Sequence, residues 1–171
     1  GVRQLVLPVE SGSEKVLKKD MRKPLKLRIS ERVINDCRDL GIYADTNILI
    51  GMPGETKHDI QEGLENLRKL NYNWCHIMCA SPIVGSEMHA VALDNGYIRG
   101  ETLGSDYRVA QVETEHFTAE YIQDMQYIMN LDLNFVNNPD IRLGDYESAL
   151  RGLESVIEVR PDHSFAYFYA S

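Results

Sequence analysis

The chain alternates between two kinds of hydrophobic pattern. Short apolar runs with β-branched and aromatic residues, which favour strands, occur at residues 1–10, 43–51 and 73–81. Each run is followed by a segment in which apolar residues recur every three or four positions, as on one face of a helix. This order of strand, helix, strand, helix, strand and helix predicts parallel strands joined by helical crossovers.

Capping and turn residues set the boundaries of the predicted helices. Ser30 is expected to cap a helix that Gly41 ends, and a second helix is expected to begin at about Thr56. A short amphipathic helix follows the third strand and ends at Gly96. The residues expected to face the core from the first two helices are Val33, Ile34, Cys37, Leu40, Ile60, Leu64, Leu67 and Leu70.

The periodicity is lost after residue 98 and returns at about residue 118. We therefore divide the chain into an α/β region over residues 1–98, a connector over residues 99–117 and a helical region over residues 118–171. The helical region is expected to open with one long helix that Asn137, Asn138 and Pro139 end. The residues predicted near its inner face are Tyr121, Met125, Ile128, Met129 and Val136.

The end of the chain carries a repeat-like pattern. Six residues match, in order and spacing, the second half of a tetratricopeptide repeat: Gly144, Tyr146, Ala149, Leu153, Val156 and Pro161. Pro139 departs from the pattern, because the preceding repeat helix should still be running there. A lone repeat cannot bury its own face, so an ordinary helical hairpin covering the α/β region is the alternative. The repeat interpretation makes this tail a candidate surface for a protein partner.

Charge and hydropathy argue against two classes of partner. The 18 basic and 26 acidic side chains give a net charge of -8, whereas nucleic-acid binding rests on clustered Lys and Arg. The basic cluster at residues 15–26 is interpreted as a solvated helix end. No apolar run approaches the ~18 residues of a membrane span, and the first residues do not resemble a signal peptide. We therefore expect a cytoplasmic protein without a membrane segment.

The three cysteines are expected to be structural. Their number is odd and no export signal is present, so a disulfide framework is not expected. Cys75 and Cys79 fall on one face of the third predicted strand, with no third ligand at metal-binding spacing. We therefore predict that they are core residues and that the chain has no metal site.

The predicted strands end in turns rich in glycine, serine and carboxylates. The three segments are ESGS, GMPGET and SPIVGS. Because ligands bind at the carboxyl ends of strands in parallel α/β folds, all three turns are expected to lie along one ligand-binding edge.

Three segments together resemble the second half of the core of radical S-adenosylmethionine enzymes. They are LVLPVESGSEKVLKKDMRK at residues 5–23, GIYADTNILIGMPGET at residues 41–56 and ASPIVGSEMHAVALDNGYI at residues 80–98. The resemblance is to the branch that often carries an N-terminal cobalamin-binding domain. It implies an α/β fold that is the C-terminal half of a partial (β/α)6 TIM-like barrel, followed here by the all-α, tetratricopeptide-like region.

The resemblance assigns cofactor-binding residues to the first turn. The turn with Glu10 and Ser11 would bind the ribose or methionine part of S-adenosylmethionine, since a carboxylate accepts from hydroxyl or ammonium groups. A charge at the start of a helix is the structural alternative for Glu10. Arg22, with Lys23 beside it, is the basic residue that would meet the carboxylate of the cofactor.

The resemblance also assigns cofactor-binding residues to the ends of the second and third strands. Ile50, Gly51 and Gly54 would form the wall for the adenine, where glycine lets the backbone approach a flat ring. Asn47 would meet a ribose hydroxyl, and the backbone at Ala80 and Ser81 would meet the adenine edge. Glu55 completes this turn, and its alternative is to bond free N–H groups at the start of the next helix.

The resemblance implies chemistry that this chain does not complete. In the family, three closely spaced cysteines near the first strand hold a [4Fe-4S] cluster, and no cysteine here lies before Cys37. We therefore expect the cluster ligands outside this chain, the N-terminal half of the barrel as a partner, and no catalytic residue or activity in this chain alone. The substrate and the use of cobalamin in the full-length protein stay open.

Two other functions are considered. One is a helical-repeat interaction module in which the α/β region is only a scaffold. The other is a phosphate-binding α/β fragment, since a glycine turn that opens a helix can bind an anion. We rank the phosphate-binding function last, because Glu55 would repel an anion and no Lys or Ser lies beside it in GMPGET.

Overall fold

The computed structural model describes residues 1–100 and 106–171, so the middle of the connector predicted at residues 99–117 lies outside the described residues. The α/β region contains β1 (Gln4–Glu10), α1 (Glu14–Lys19), α2 (Leu27–Asp39), β2 (Tyr43–Ile50), α3 (Lys57–Leu67), β3 (Trp74–Cys79) and α4 (Glu87–Asp94). The helical region contains α5 (Ala119–Leu131), a π-helical segment (Asp132–Val136), α6 (Pro139–Leu143), α7 (Tyr146–Val159) and α8 (Ser164–Ala170).

The three strands form one parallel sheet in the order β1-β2-β3. The α/β class and the parallel strands predicted from the alternating pattern are thus confirmed. The register pairs Leu7 with Thr46 and Thr46 with Cys75, and it shifts beyond Leu7, where Glu10 pairs with Ile48. The strands run in the same direction, so the three turns that follow them lie along one edge of the sheet.

The two faces of the sheet differ in burial. Side chains alternate along a strand, and one face of β2, with Ala44, Thr46, Ile48 and Ile50, is fully buried. This face packs in the main core with apolar residues of the helices: Ile34, Ile60, Leu64, Leu67, Ile122, Met129 and Leu133. The opposite face is more open along β2, except that Asp45 is buried.

The start of α2 lies one turn earlier than predicted. The helix begins at Leu27, and Ser30 is a buried residue within its first turn. The expected cap at Ser30 is therefore wrong. The Leu27 N–H donates instead to the carboxylate of Glu14 in α1 at 3.0 Å. This contact joins residues 13 positions apart and replaces a local cap.

The long helix predicted after residue 118 is interrupted. α5 ends at Leu131 and a π-helical segment follows, which shifts the buried face. Ile128 and Val136, predicted near the inner face, are 49% and 54% exposed. Met129 is buried as predicted, and Ile122, Leu133 and Phe135 are buried with it. Pro139 begins α6, where a missing N–H costs nothing, and Asn138 caps that helix.

Helices α7 and α8 pack together and contact the sheet. Leu153 of α7 and Ala166 of α8 are buried with Phe135 in a second apolar cluster. A Cβ atom at Gly152 would lie 2.7 Å from Trp74 Cε3, so α7 can lie this close to β3 only because Gly152 has no side chain. Helix α7 thus covers part of β3. No helix in residues 1–100 and 106–171 is long and apolar enough to cross a membrane.

Candidate functional site

The turn after β2 is fixed from within by a buried carboxylate. Glu55 is 1% exposed, and its Oε2 accepts from the Gly51 N–H at 2.6 Å and the Met52 N–H at 3.2 Å. Gly51 has φ +89°, a value that glycine adopts readily. Glu55 therefore has the structural role given as its alternative, since it bonds free N–H groups, but these belong to the turn before it and not to the following helix.

The helix that follows this turn is capped by other residues. Thr56 and Asp59 form a reciprocal capping box at the start of α3, and Asp59 also binds Lys15 at 2.6 Å. This leaves Glu55 without a role at the helix terminus. Burial raises the pKa of Glu55 to about 7, although the two backbone donors act in the opposite direction.

Gly54 packs against α1. A Cβ atom at this position would overlap Asp20 Oδ1 at the end of α1. The other oxygen of Asp20, Oδ2, is buried and accepts no hydrogen bond from residues 1–100 or 106–171, and burial raises the pKa of this carboxyl group. The contact brings a second carboxylate to the GMPGET turn. The sequence analysis missed Asp20, because only the folded chain brings it beside Gly54.

The first turn has an unusual backbone. Glu10 has φ +71°, which is uncommon for a residue with a side chain. Lys23 donates to the Pro8 carbonyl and lies 3.5 Å from the carboxylate of Glu10. Ser11 is buried, and its hydroxyl accepts from the Ser13 N–H at 3.1 Å. Side chains and backbone thus hold this turn in a defined shape.

Arg22 and Lys23 point to different partners. Arg22 forms an exposed ion pair with Glu87 at the start of α4, whereas Lys23 lies beside Glu10. Arg22 and Gly54 line a cavity of about 310 Å³ between α1, the GMPGET turn and α4. Met52 and Met88 contribute apolar surface to it. Of the residues assigned from the family, only these two line this cavity.

The assigned residues on β2 lie on opposite faces of the sheet. Ile50 is 2% exposed and its side chain packs in the helix-covered core, so a ligand could meet only its backbone. Asn47 is half-buried on the opposite face, level with His76 of β3. The two side chains therefore do not face a common ligand.

The third strand ends close to the second. The Ala80 N–H donates to the Ile50 carbonyl at 2.8 Å, which joins the ends of β2 and β3. Ser81 is buried and its hydroxyl bonds Gln111 at 3.0 Å. This bond uses the side chain, so the backbone at Ala80 and Ser81 follows directly on the end of β3, beside the end of β2.

The cysteines do not fit an iron–sulfur cluster. All three are buried and free, and Cys75 and Cys79 lie in the main core. Burial raises the pKa of Cys75 to about 12 and that of Cys79 to about 11, whereas a cluster needs thiolates. The prediction that these two are core residues is confirmed.

Comparisons with known proteins give partial matches to enzymes. The chain is 31% identical over 107 residues to a cytidylyl-2-hydroxyethylphosphonate methyltransferase from Streptomyces wedmorensis, covering 59% of this chain and 20% of the relative. It is 35% identical over 82 residues to a tRNA-2-methylthio-N(6)-dimethylallyladenosine synthase from Rickettsia canadensis, covering 47% of this chain and 18% of the relative. The same synthase from Thermus thermophilus is 33% identical over 86 residues, covering 49% and 18%.

These matches support the radical S-adenosylmethionine superfamily. The matched segments span about a fifth of the length of these relatives. No protein-family model matches the chain.

Proposed function

We propose that this chain forms the adenosine side of an S-adenosylmethionine site in a radical S-adenosylmethionine enzyme. The observation that supports it is the single edge along which the turns after β1, β2 and β3 meet, in a chain whose relatives are enzymes of this superfamily. In the proposed site, the Gly51–Glu55 turn and the backbone at Ala80 meet the adenine, and Glu10 meets the ribose or amino group.

We assign more specific roles to these residues within the proposal. Glu55 acts by holding the turn, since its carboxylate already binds two N–H groups. Lys23, next to Glu10, is better placed than Arg22 to meet the carboxylate of a ligand at this turn. Asn47 faces the open side of the sheet, so it contacts only a ligand that reaches over that face.

We assign the reductive step to residues outside this chain. Bound S-adenosylmethionine and a reduced [4Fe-4S] cluster would supply a 5'-deoxyadenosyl radical or support methyl transfer. The three core cysteines of this chain do not hold that cluster, so we propose that its ligands belong to the N-terminal half of the barrel. That half would extend the sheet at β1. In the proposal, the substrate and any cobalamin also bind outside this chain.

Binding of S-adenosylhomocysteine tests the proposal. Backbone NMR shifts of the chain should change saturably at Glu10, Gly51, Gly54 and Ala80, and Glu10→Gln should weaken the effect. Glu147→Gln, at an exposed carboxylate in the first turn of α7, is the matched control. Shifts confined to other regions, or no saturable shift, would contradict the proposal.

A protein contact on the tail is a second candidate function. It is favoured by three exposed aromatic side chains on the short helix α8, namely Phe165, Tyr167 and Phe168. Exposed aromatic residues are enriched where proteins bind one another. Phe168→Ser should weaken capture of a partner by the intact protein while leaving S-adenosylhomocysteine binding unchanged; equal capture by both forms would remove this candidate.

A further inference from the structure

A larger cavity lies on the open face of the sheet, near the starts of the strands. Its volume is about 620 Å³, within the range of small-molecule sites. It is lined by Gln4, Tyr43 and Trp74, which begin β1, β2 and β3, and by residues of α7. Strand starts and strand ends are at opposite edges of a parallel sheet, so this cavity is separate from the GMPGET turn.

Arg151 of α7 is the distinctive group of this cavity. Its guanidinium lies 4.5 Å from the centroid of the Tyr43 ring, and this stacking orients the planar group. It donates to Gln4 Oε1 at 3.1 Å. No carboxylate of residues 1–100 or 106–171 forms an ion pair with it. Because an arginine side chain carries five N–H donors, Arg151 has donors to offer a ligand.

Asp45 is the one carboxylate that lines the cavity within the described ranges, and its oxygens are already engaged or enclosed. Its Oδ2 accepts from Gln4 Nε2 at 2.7 Å and lies 3.5 Å from His76 Nε2. Its Oδ1 has no accessible surface, and the residue is 4% exposed. The Gln4 amide links the two charges, since it accepts from Arg151 and donates to Asp45. A ligand therefore meets Arg151 more readily than Asp45.

Arg160, at the end of α7, is a second arginine of the lining. It is paired with Asp162 at 3.1 Å, and both side chains of this pair are largely exposed. Exposed ion pairs are weak, because water screens them. The accessible charges that line the cavity are thus the positive charges of Arg151 and Arg160.

The remaining walls suit an apolar body. Trp74 is half-buried, and Val156 and Val159 of α7 also line the space. A Cβ atom at Gly152 would lie 2.7 Å from the indole, so α7 and Trp74 are in close contact. An aromatic ring and two aliphatic side chains give a ligand apolar surface next to the Arg151 guanidinium.

We infer that this cavity binds a small organic carboxylate with an apolar or aromatic body. The carboxylate accepts from the N–H groups of Arg151, whose planar fork matches the two oxygens. The body packs against Trp74 and the two valines of α7. The site is independent of the proposed S-adenosylmethionine site, since it uses other residues at the opposite edge of the sheet.

Trp74 is the single tryptophan of the chain, so its fluorescence reports occupancy directly. Three probes have similar phenyl bodies and differ in charge: 3-phenylpropionate, 3-phenylpropanamide and 3-phenylpropylamine. The propionate should change the fluorescence saturably and bind at least ~10-fold more tightly than the amide, because hydrogen bonds between charged groups are the stronger ones. The amine should bind more weakly than the amide, since the exposed arginines repel it.

Arg151→Gln separates the charge from the apolar wall. It should lower the affinity for the propionate at least ~10-fold and leave the affinity for the amide unchanged, because Trp74 and the valines remain. Arg32→Gln, at an exposed arginine on α2, is the matched control and should change neither affinity. A loss of equal size for the propionate and the amide in Arg151→Gln would overturn the inference.

The probe series with the unaltered chain tests the inference without any variant. Binding of the amide or the amine as tightly as the propionate would overturn it. The absence of a saturable response to the propionate would also overturn it.

Discussion

The side chain of Asn134 forms both hydrogen bonds that a neighbouring strand would form with Cys75. Its Oδ1 accepts from the Cys75 N–H at 2.8 Å, and its Nδ2 donates to the Cys75 carbonyl at 2.8 Å. Gln126 of α5 donates to the Ile77 carbonyl of the same strand at 2.9 Å. Amide side chains from the helical region thus occupy backbone groups of β3 that face away from β2.

Asn134→Ala should destabilise the fold substantially. Asn134 is fully buried, so its loss leaves the N–H and the carbonyl of Cys75 buried without partners, at about 1–3 kcal/mol each. We expect the free energy of unfolding in urea to fall by about 2–4 kcal/mol. Asn95→Ala, at an exposed side chain, should change it by less than about 0.5 kcal/mol. Equal losses in the two variants would show that the contact with Cys75 does not stabilise the sheet.

Gly54→Ala should be destabilising, and a change at Asp20 should relieve it. The added Cβ overlaps Asp20 Oδ1, so we expect a loss of about 1–3 kcal/mol in the free energy of unfolding. In the Asp20→Ala background the carboxylate is absent, and the same glycine change should cost much less. The four proteins of this cycle are compared by urea denaturation. An equal cost in both backgrounds would place the strain somewhere other than at Asp20.

Glu55 should make stability depend on pH. Its pKa is about 7 in the folded chain against an ordinary value of 4.5, so the folded state holds this proton more tightly. The protonated carboxyl group therefore contributes on the order of 3 kcal/mol to the free energy of unfolding. This contribution is fully present below pH 4.5 and is lost as the pH rises to about 7.

Glu55→Gln keeps the shape of the side chain and an oxygen that accepts from Gly51 and Met52. The difference in the free energy of unfolding between the two proteins should therefore move in favour of Glu55→Gln as the pH rises from 4.5 to 7. Thermal unfolding followed by circular dichroism across this range measures the difference. A constant difference would mean that the carboxyl group does not titrate there.

The cysteines should react slowly in the folded chain. Cys75 and Cys79 are buried with pKa values of about 12 and 11, so thiolate is scarce at pH 8. A disulfide reagent such as DTNB should label them only after unfolding in guanidinium chloride, when all three thiols become reactive. Rapid labelling of these two in the native chain would contradict their core positions.

The local pattern was sufficient for the strands and for most of the core. Alternation along residues 43–50 and turn residues at their ends predicted β2, and the stripe from Ile60 to Leu70 is buried as predicted. The same alternation contained a signal that the family assignment did not use. Asn47 and Ile50 are three positions apart, and an odd separation places two side chains on opposite faces of a strand.

Contacts between distant residues lie beyond local pattern. Glu14 reaches the start of α2, Asp20 reaches Gly54, and Asn134 reaches Cys75 across 59 positions. Each of these contacts depends on how complete helices and strands pack, so the spacing of residues along the chain does not predict it. The π-helical segment could not be predicted from local pattern either. Its wider turn places Asn134 and Phe135 in buried positions, which depends on how the helical region packs.

The two borders of the sheet differ in a way that limits how copies of the chain could polymerise. β3 is covered by Asn134 and Gln126, whereas β1 has no further strand beside it in the described ranges and exposes Leu5 and Val6. A fibril that grows by strand pairing needs two unpaired sheet edges on every copy. This chain has one such edge, at β1, so pairing between copies is expected to give a dimer and not a longer assembly.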